Sequence, residues 1–172
     1  MNIVLIGYRG TGKTSVGQLL AERLKRRLIS TDTEVIRRAG LPIPEIVKQF
    51  GWDRFRDLES EVCLELGGKD RLIIDTGGGA ILRPQNVESL KTNGVLVWLT
   101  ATVRTITDRI GGDTQRPSLT GAKSFTDEVE EVLREREPRY KAAADHVIQT
   151  DGRSLAQVAD AILTHVEISA DC

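Results

Sequence analysis

The stretch GYRGTGKT, from Gly7 to Thr14, lies between the apolar run 2–6 and a segment, 15–27, whose apolar residues recur at helical spacing. It fits the pattern G-x-x-x-x-G-K-[ST]. Glycines let the backbone turn successive N–H groups inward, and the start of a helix presents its positive dipole end at the same point. The order of strand, glycine-rich loop and helix therefore predicts a site for the phosphates of a nucleoside triphosphate.

The polar residues of this loop have separate expected tasks. Lys13 can reach the β- and γ-phosphate oxygens, and Thr14 can offer its hydroxyl to a magnesium ion that bridges them. The expected nucleotide-binding residues of the loop are Gly10, Thr11, Gly12, Lys13, Thr14 and Ser15. A turn that merely joins a strand to a helix is disfavoured, because spacing and context coincide. The loop alone leaves open whether the protein is a kinase, a hydrolase or a switch.

Composition sets wider limits. The chain has 172 residues, 40% of them apolar and 28% charged, with a net charge of −1, which disfavours disorder and a strongly basic nucleic-acid surface. Its apolar runs are too short for a membrane span or a signal peptide, so we expect a cytoplasmic protein. Two cysteines and two histidines make neither a disulfide framework nor a zinc set. The length suits a single domain, 1–172.

The patterning along the chain alternates between two types of segment. Apolar runs typical of covered strands occur at 2–6, 28–30, 71–74, 95–99 and 146–149. Helical patterning occurs at 15–27, 32–38, 43–50, 52–66, 84–92, 102–110, 125–144 and 154–166. This alternation predicts an α/β protein with a five-stranded parallel sheet and helices on both faces. Residues 111–123, rich in glycine and polar residues, are predicted to form a mobile loop.

Unusual polar motifs follow the predicted strands. STDTE (30–34) follows the second strand and DTGGG (75–79) the third, while FRDLE (55–59) and REREPRY (134–140) lie on helical segments. Ligands collect at the carboxyl ends of strands in open α/β sheets. An acceptor hydroxyl that attacks a γ-phosphoryl group needs positioning, charge neutralisation and often a nearby carboxylate. These motifs therefore indicate a second substrate.

Together with the phosphate loop, these motifs resemble the shikimate kinase family over residues 2–163. The resemblance implies a P-loop kinase fold with a helical substrate-binding insertion at about 32–61 and a lid at about 111–123. It implies transfer of the γ-phosphoryl group of MgATP to the 3-hydroxyl of shikimate, in chorismate and aromatic amino acid biosynthesis. The implied partners are ATP, shikimate and Mg²⁺, without nucleic acid or membrane, and we expect a monomer.

The resemblance also implies site residues. Lys13, Asp32 and Arg116 would be catalytic, with Asp32 holding the acceptor hydroxyls and Arg116 reaching the phosphoryl group from the lid. Shikimate would be bound by Asp32, Arg56, Gly77, Gly78, Gly79 and Arg136, the two arginines at its carboxylate. A guanidinium fork suits a planar carboxylate. ATP would be bound by the loop together with Arg109, Arg116 and Arg153, of which Arg109 and Arg153 would flank the adenine.

Each assignment has a simpler alternative. Asp32 could only cap the helix that follows it. Arg56, Arg134, Arg136 and Arg139 could lie on solvated helix faces with charged neighbours. The three glycines could be a loose turn, and the lid could be an inert surface loop.

One position departs from the family pattern. Members usually carry Asp-x-Asp after the second strand, and the first Asp supports magnesium through water, whereas this chain has Ser30-Thr31-Asp32. We hypothesise that Asp75, at the end of the third predicted strand, supplies the missing carboxylate, so that Thr14 and Asp75 form the metal site. Ser30 also motivates a second reading, a nucleotide-binding regulator with impaired catalysis. A third is another small-metabolite kinase of the same architecture, such as a gluconate kinase.

Overall fold

A computed structural model describes residues 1–111 and 125–166, and the elements below belong to these ranges. The strands are β1 (Asn2–Ile6), β2 (Arg27–Ser30), β3 (Leu72–Asp75), β4 (Gly94–Thr100) and β5 (His146–Gln149). The α-helices are α1 (Lys13–Leu24), α2 (Thr31–Ala39), α3 (Ile43–Gly67), α4 (Pro84–Lys91), α5 (Val103–Ile110), α6 (Phe125–Ala143) and α7 (Leu155–Val166). A short 3₁₀ helix spans Ala80–Leu82. Residues 112–123 of the predicted lid, including Arg116, lie outside the described residues.

The strands form one parallel sheet in the order β2-β3-β1-β4-β5. The chain runs from the central β1 outward to β2, returns to β3 and then crosses to β4 on the other side of β1. Ligands bind beyond the carboxyl ends of the strands where the order of an open sheet reverses in this way. GYRGTGKT begins at the carboxyl end of β1, so the phosphate loop lies at this reversal point.

Helices cover both faces of the sheet. Val4 and Ile6 of β1 belong to a buried cluster shared with α2, α3, α4 and α6, whereas Ile3 and Leu5 belong to a second cluster shared with α1 and α7. Successive side chains of a strand point to opposite faces, and burial on both sides explains the continuous apolar runs. The predicted α/β fold with a five-stranded parallel sheet is confirmed. Within the described ranges no helix is long and apolar enough to cross a membrane.

The third helix is kinked at Gly51. The sequence predicted two helices here, 43–50 and 52–66, and the structure shows one span, Ile43–Gly67, with a non-helical residue inside it. Gly51 has φ 83° and ψ 169°, in the positive-φ range that glycine adopts without a steric penalty. The kink separates the amino-terminal turns from the half that carries FRDLE.

The third strand is displaced by one residue from its predicted bounds. Arg71 has φ 58°, which is incompatible with an extended strand, and β3 spans Leu72–Asp75 instead of 71–74. Asp75 is therefore the last residue of β3, and it pairs in register with Ser30, the last residue of β2. The two residues of the magnesium hypothesis thus end adjacent strands side by side.

Candidate active site

Two adjoining cavities lie at the carboxyl ends of the strands. The nucleotide cavity is lined by the phosphate loop and α1 (Gly10, Gly12, Lys13, Thr14, Ser15), and by Ser30, Asp75, Thr76 and Ile110. The acceptor cavity is lined by Ile43, Trp52, Phe55, Arg56 and Glu59 of α3, by Gly77, Gly78 and Gly79, and by Tyr8 and Arg136. Arg9 and Asp32 line both cavities. The motifs predicted to bind the donor and the acceptor therefore meet at one boundary.

Hydrogen bonds between residues of the phosphate loop stabilise its conformation. Gly12, the residue before α1, has φ 93°, which turns the loop into the helix. The ammonium of Lys13 donates to the carbonyl oxygens of Gly7 at 2.9 Å and Tyr8 at 3.0 Å, and the Thr11 hydroxyl donates to the same Tyr8 oxygen at 2.8 Å. The Thr11 side chain is thus directed into the protein, and its predicted contact with the nucleotide would use the backbone.

Thr14 and Asp75 are in direct contact. The Thr14 hydroxyl donates a 2.6 Å hydrogen bond to the Asp75 carboxylate, which is buried and lines the nucleotide cavity. Ser30 lies beside them, but its hydroxyl accepts a hydrogen bond from the backbone N–H of Thr33 at 3.3 Å and caps α2. The carboxylate at this corner of the cavity therefore comes from β3, while Ser30 has a capping task.

Asp32 is the second residue of α2, and this position argues against the alternative that it only caps the helix. Because Ser30 is the N-cap of α2, capping does not explain Asp32. Its carboxylate lies at the boundary of the two cavities and close to Gly77, where an added Cβ would lie 2.6 Å from Asp32 Oδ1 and 2.9 Å from Glu59 Oε1. The lack of a side chain at Gly77 thus leaves room for the carboxylates of Asp32 and Glu59. This role is additional to its expected one, which is to let the substrate approach the backbone.

Arg56 occupies the wall of the acceptor cavity. It donates a 2.7 Å hydrogen bond to Glu59, one turn later on α3, and its guanidinium lies 5.6 Å from the centre of the Trp52 ring. A Cβ at Gly79 would overlap this guanidinium. Glu59 is fully buried, and burial raises the pKa of its carboxyl although Arg56 opposes the shift. Arg56 is thus confined by an aromatic ring, a carboxylate and a glycine, which a solvated helix face would not provide.

Arg136 reaches the same cavity from α6. It is 8% exposed, and its Nη1 lies 3.5 Å from the position of a Cβ on Gly78. One turn later, the Tyr140 hydroxyl donates to the carbonyl oxygen of Gly78, and burial raises the pKa of Tyr140 to about 12. The Tyr140 ring stacks on Trp98 of β4 at 5.6 Å. These contacts fix α6, and with it Arg136, against the glycine run, residues 77–79.

The other two arginines of the helical motifs fit the simpler alternative. The Arg134 side chain is 79% exposed and pairs with Glu130 at 3.1 Å, four residues earlier on α6. Arg139 is exposed and donates to the backbone oxygen of Leu82. Solvated faces therefore explain Arg134 and Arg139, but they do not explain Arg56 and Arg136.

Arg109 and the backbone of Arg153 both donate hydrogen bonds to Thr150. The guanidinium of Arg109 donates to the carbonyl oxygen of Gly10 at 3.1 Å and to the Thr150 hydroxyl at 3.2 Å. The backbone N–H of Arg153 donates to the Thr150 carbonyl at 3.2 Å, and its side chain is exposed. Arg109 therefore contacts the phosphate loop, and the contact of either arginine with a base stays a prediction.

Tyr8, Arg9 and Glu59 line the acceptor cavity but were not among the site residues predicted from the sequence. Arg9 and Tyr8 occupy positions at which the phosphate-loop pattern accepts any residue. Glu59 closes the motif FRDLE, and its spacing of three from Arg56 was the signal for an ion pair on one helix face. The two loop residues had no such signal, because their contribution depends on where β3 and α6 approach the loop.

Comparisons with known proteins agree with this geometry. The family model described as shikimate kinase matches residues 9–167. A shikimate kinase of Syntrophus aciditrophicus is 44% identical, with 94% of this chain and 89% of the relative covered, and one of Nitratidesulfovibrio vulgaris is 43% identical, with 87% and 86% covered. The structure of shikimate kinase from Acinetobacter baumannii in complex with shikimate superposes with a TM-score of 0.91 at 36% identity, covering 96% of this chain and 92% of that chain. The chain belongs to the shikimate kinase family.

Proposed function

We propose that this protein transfers the γ-phosphoryl group of ATP to the 3-hydroxyl of shikimate, a step of chorismate and aromatic amino acid biosynthesis. The observation that carries the proposal is the contact between a nucleotide cavity and a cavity with two confined guanidinium groups, Arg56 and Arg136. Shikimate is a small carboxylate with several hydroxyls, and such a cavity offers it a cationic end and an acidic end. Family membership supports the same substrate.

Acceptor binding follows from the charges of the acceptor cavity. The carboxylate of shikimate would lie between Arg56 and Arg136, since two guanidinium groups can bind both of its oxygens. Gly78 would be the close backbone contact, because it has neither a side chain nor a neighbour that fills its Cβ position. Asp32, at the boundary of the cavities, would then face the hydroxyls at the other end of the ring.

The chemical step uses the two residues nearest the boundary. Asp32 would orient the 3-hydroxyl and accept its proton as the oxygen attacks the γ-phosphorus. Lys13 would leave its contacts with the carbonyls of Gly7 and Tyr8 for the more strongly charged oxygens of the β- and γ-phosphates. Arg116, from the predicted lid, would add a second positive charge to the phosphoryl group. Neutralisation of the developing charge and alignment of the reactants are the main contributions that an enzyme makes to phosphoryl transfer.

Magnesium is proposed at the corner formed by Thr14 and Asp75. A hydroxyl and a carboxylate are the hard oxygen donors that this ion prefers, and both face the nucleotide cavity. Within the described residues no three His, Cys, Asp or Glu side chains form a metal site on their own, and an ion that arrives with ATP takes further ligands from the phosphates. When bound, Mg²⁺ offsets the charge of the β- and γ-phosphates. Thr14 would contact the ion while its own proton remains directed at Asp75.

The remaining expectations concern the nucleotide base, the substrate-binding insertion and lid, and the location and oligomeric state of the protein. Arg109 and Arg153 would flank the adenine, and both donate hydrogen bonds to Thr150. The insertion 32–61 would bind the acceptor, and 111–123 would be the lid of a single kinase domain. We also propose a cytoplasmic monomer; light scattering during size-exclusion chromatography measures the mass in solution.

A coupled assay of ADP release tests the function. The protein is incubated with MgATP and, separately, shikimate, gluconate or a nucleoside monophosphate, and the product is examined by ³¹P NMR. We expect turnover with shikimate and a phosphate monoester at its 3-hydroxyl. A Lys13→Met variant, which lacks the ammonium, serves as the control for contaminating kinases.

The other outcomes separate the competing functions. ADP release with gluconate alone would assign the protein to another class of small-metabolite kinase. Absence of turnover with every acceptor, combined with measurable ATP binding, would favour a regulator that binds nucleotides. No contact in the described residues favours either of these two functions over the shikimate kinase reaction.

A further inference from the structure

The phosphate loop also builds part of the acceptor cavity. Tyr8 and Arg9, at positions for which the loop motif prescribes no residue type, both line this cavity. Arg9 lines the nucleotide cavity as well, a property that it shares with Asp32. The loop is therefore more than a cradle for the donor, because one of its residues lines the cavities of both donor and acceptor.

Tyr8 fixes the loop at the residue before Arg9. Its ring is 2% exposed and belongs to a buried cluster with Ile106 and Ile110 of α5 and Val129 and Val132 of α6. A side chain packed in this way has few alternative positions. The backbone of the next residue, Arg9, is consequently held in one place.

Gly78, in the glycine run after β3, locates that place. The position of a Cβ on Gly78 lies 3.5 Å from the carbonyl oxygen of Gly7 and 3.6 Å from the backbone nitrogen of Arg9. A side-chain atom on Gly78 would therefore touch both loop atoms, so the loop lies close to Gly78. The Nη1 atom of Arg136 lies 3.5 Å from the same Cβ position. The half-buried Arg9 therefore lies between the two cavities, both of which it lines.

The charges at the boundary favour a further cation there. A phosphoryl group that passes from the nucleotide to the acceptor crosses this boundary with negative charge on its three equatorial oxygens. Asp32, placed to accept the hydroxyl proton, presents a like charge to those oxygens. The planar guanidinium of Arg9 can donate two parallel hydrogen bonds to them and offset the repulsion.

We propose that Arg9 is a catalytic residue that contacts the phosphoryl group during transfer, an inference that rests on the proposed function. The bond between the γ-phosphorus and the oxygen that bridges it to the β-phosphate breaks, and its electron pair stays on ADP. The new bond forms between that phosphorus and the acceptor oxygen, whose proton moves to Asp32. Arg9 donates hydrogen bonds to the equatorial oxygens throughout and exchanges no proton.

Steady-state kinetics of Arg9→Met tests this contact. Loss of a donor that acts in the transition state should lower kcat by about 100-fold, with changes in KM for ATP and shikimate within about threefold. Arg9→Lys keeps the charge but loses the fork, and it should retain a kcat between those of wild type and Arg9→Met. Arg54→Met is the matched control, since Arg54 is an exposed arginine of α3 that lines neither cavity. It should match the wild type.

A binding measurement separates this role from a structural one. Calorimetry compares the affinities for MgADP alone, shikimate alone, and shikimate with MgADP and aluminium fluoride, which imitates the phosphoryl group in transit. Arg9→Met should weaken the last complex at least about 10-fold and leave the first two unchanged. Equal melting temperatures for the three variants and the wild type show that the fold is intact.

Several results would overturn the inference. An unchanged kcat with unchanged affinity for the aluminium fluoride complex would show that Arg9 does not contact the phosphoryl group. A raised KM with an unchanged kcat would assign it to ground-state binding, and a lowered melting temperature with proportional losses in every complex would assign it to structure. Each of these results leaves the proposed function intact if the wild type turns over shikimate. A wild type without that turnover would overturn both.

Discussion

The hydroxyl of Thr14 donates a 2.6 Å hydrogen bond to the carboxylate of Asp75 and so joins the first turn of α1 to the end of β3. We predict that Asp75→Ala weakens the binding of Mn²⁺ or Mg²⁺ in the presence of ADP by about 10- to 100-fold, because the variant removes a carboxylate proposed to hold the ion. Electron paramagnetic resonance of Mn²⁺ measures this affinity without turnover.

Ser30 provides the control for that prediction. Ser30→Ala should leave metal affinity within about twofold but cost about 1 kcal/mol of stability, because it removes the cap of α2. Ser30→Asp in the Asp75→Ala background should restore part of the affinity, since positions 30 and 75 are paired in register. Normal metal affinity in Asp75→Ala would rule out the proposed role of Asp75.

Gly79 and Gly78 should respond differently to alanine. A Cβ at Gly79 would overlap the guanidinium of Arg56, the end of a flexible side chain that can move away. Gly79→Ala should therefore fold but raise KM for shikimate by about 10-fold or more, since 1.4 kcal/mol of lost binding corresponds to tenfold. KM for ATP should not change. If KM for shikimate stays at its wild-type value, Arg56 does not bind the acceptor.

Gly78→Ala is the companion variant. The nearest atoms to its added Cβ lie at 3.5 Å, so the protein itself should tolerate the methyl group and retain its melting temperature. We expect a higher KM for shikimate here because the methyl group would occupy the proposed backbone contact. Unimpaired shikimate binding in this variant would place the acceptor away from the glycine run.

The stability of the protein should depend on pH through Glu59. Burial raises the pKa of this carboxyl above its ordinary value near 4.5, so the folded state holds the proton more tightly than the unfolded state. The contribution of Glu59 to stability is complete below that ordinary value and is lost as the pH rises through the raised pKa. Gln at this position does not titrate. The melting temperature of Glu59→Gln minus that of the wild type should therefore increase from pH 5 to pH 8.

Glu61 supplies the matched control for the pH experiment. It is exposed on the same helix, and Glu61→Gln should show a difference in melting temperature that is flat over this range. A flat or falling difference for Glu59→Gln would mean that Arg56 outweighs burial and that Glu59 is ionised at low cost.

The sequence predicts much of this molecule because its strongest patterns are local. The spacing of glycines and lysine in GYRGTGKT identifies a phosphate-binding loop. The apolar runs of β1 and β4 are long enough to be recognised as covered strands. The residue that ends β3 was placed one position outside its predicted strand, since the positive φ of Arg71 has no pattern in the sequence. Local signals likewise could not show that Arg9 lies at the cavity boundary, because the boundary forms where the loop meets Gly78.

Burial distinguishes residues that the sequence leaves equivalent. Arg134 and Arg136 belong to one charged motif, yet the first is exposed and the second is 8% exposed at the acceptor cavity. The two lie two residues apart on a helix, and so they point in different directions. The family resemblance, with its spacing to Tyr140, indicated Arg136, and Arg136 is the one of the two that lines the acceptor cavity. Charge and helical pattern alone would have favoured a solvated face for both.

The two buried tyrosines provide the last prediction. The Tyr140 hydroxyl donates to the carbonyl oxygen of Gly78, whereas the Tyr8 hydroxyl, equally buried, has no hydrogen-bond partner among the described residues. Removal of a donor that leaves a buried carbonyl unsatisfied costs about 1–3 kcal/mol, while removal of an unpaired hydroxyl is nearly neutral or stabilising. Tyr140→Phe should therefore lower the free energy of unfolding in urea by that amount, and Tyr8→Phe should leave it unchanged or raise it. Equal destabilisation by the two variants would mean that the Tyr8 hydroxyl is hydrogen-bonded in solution.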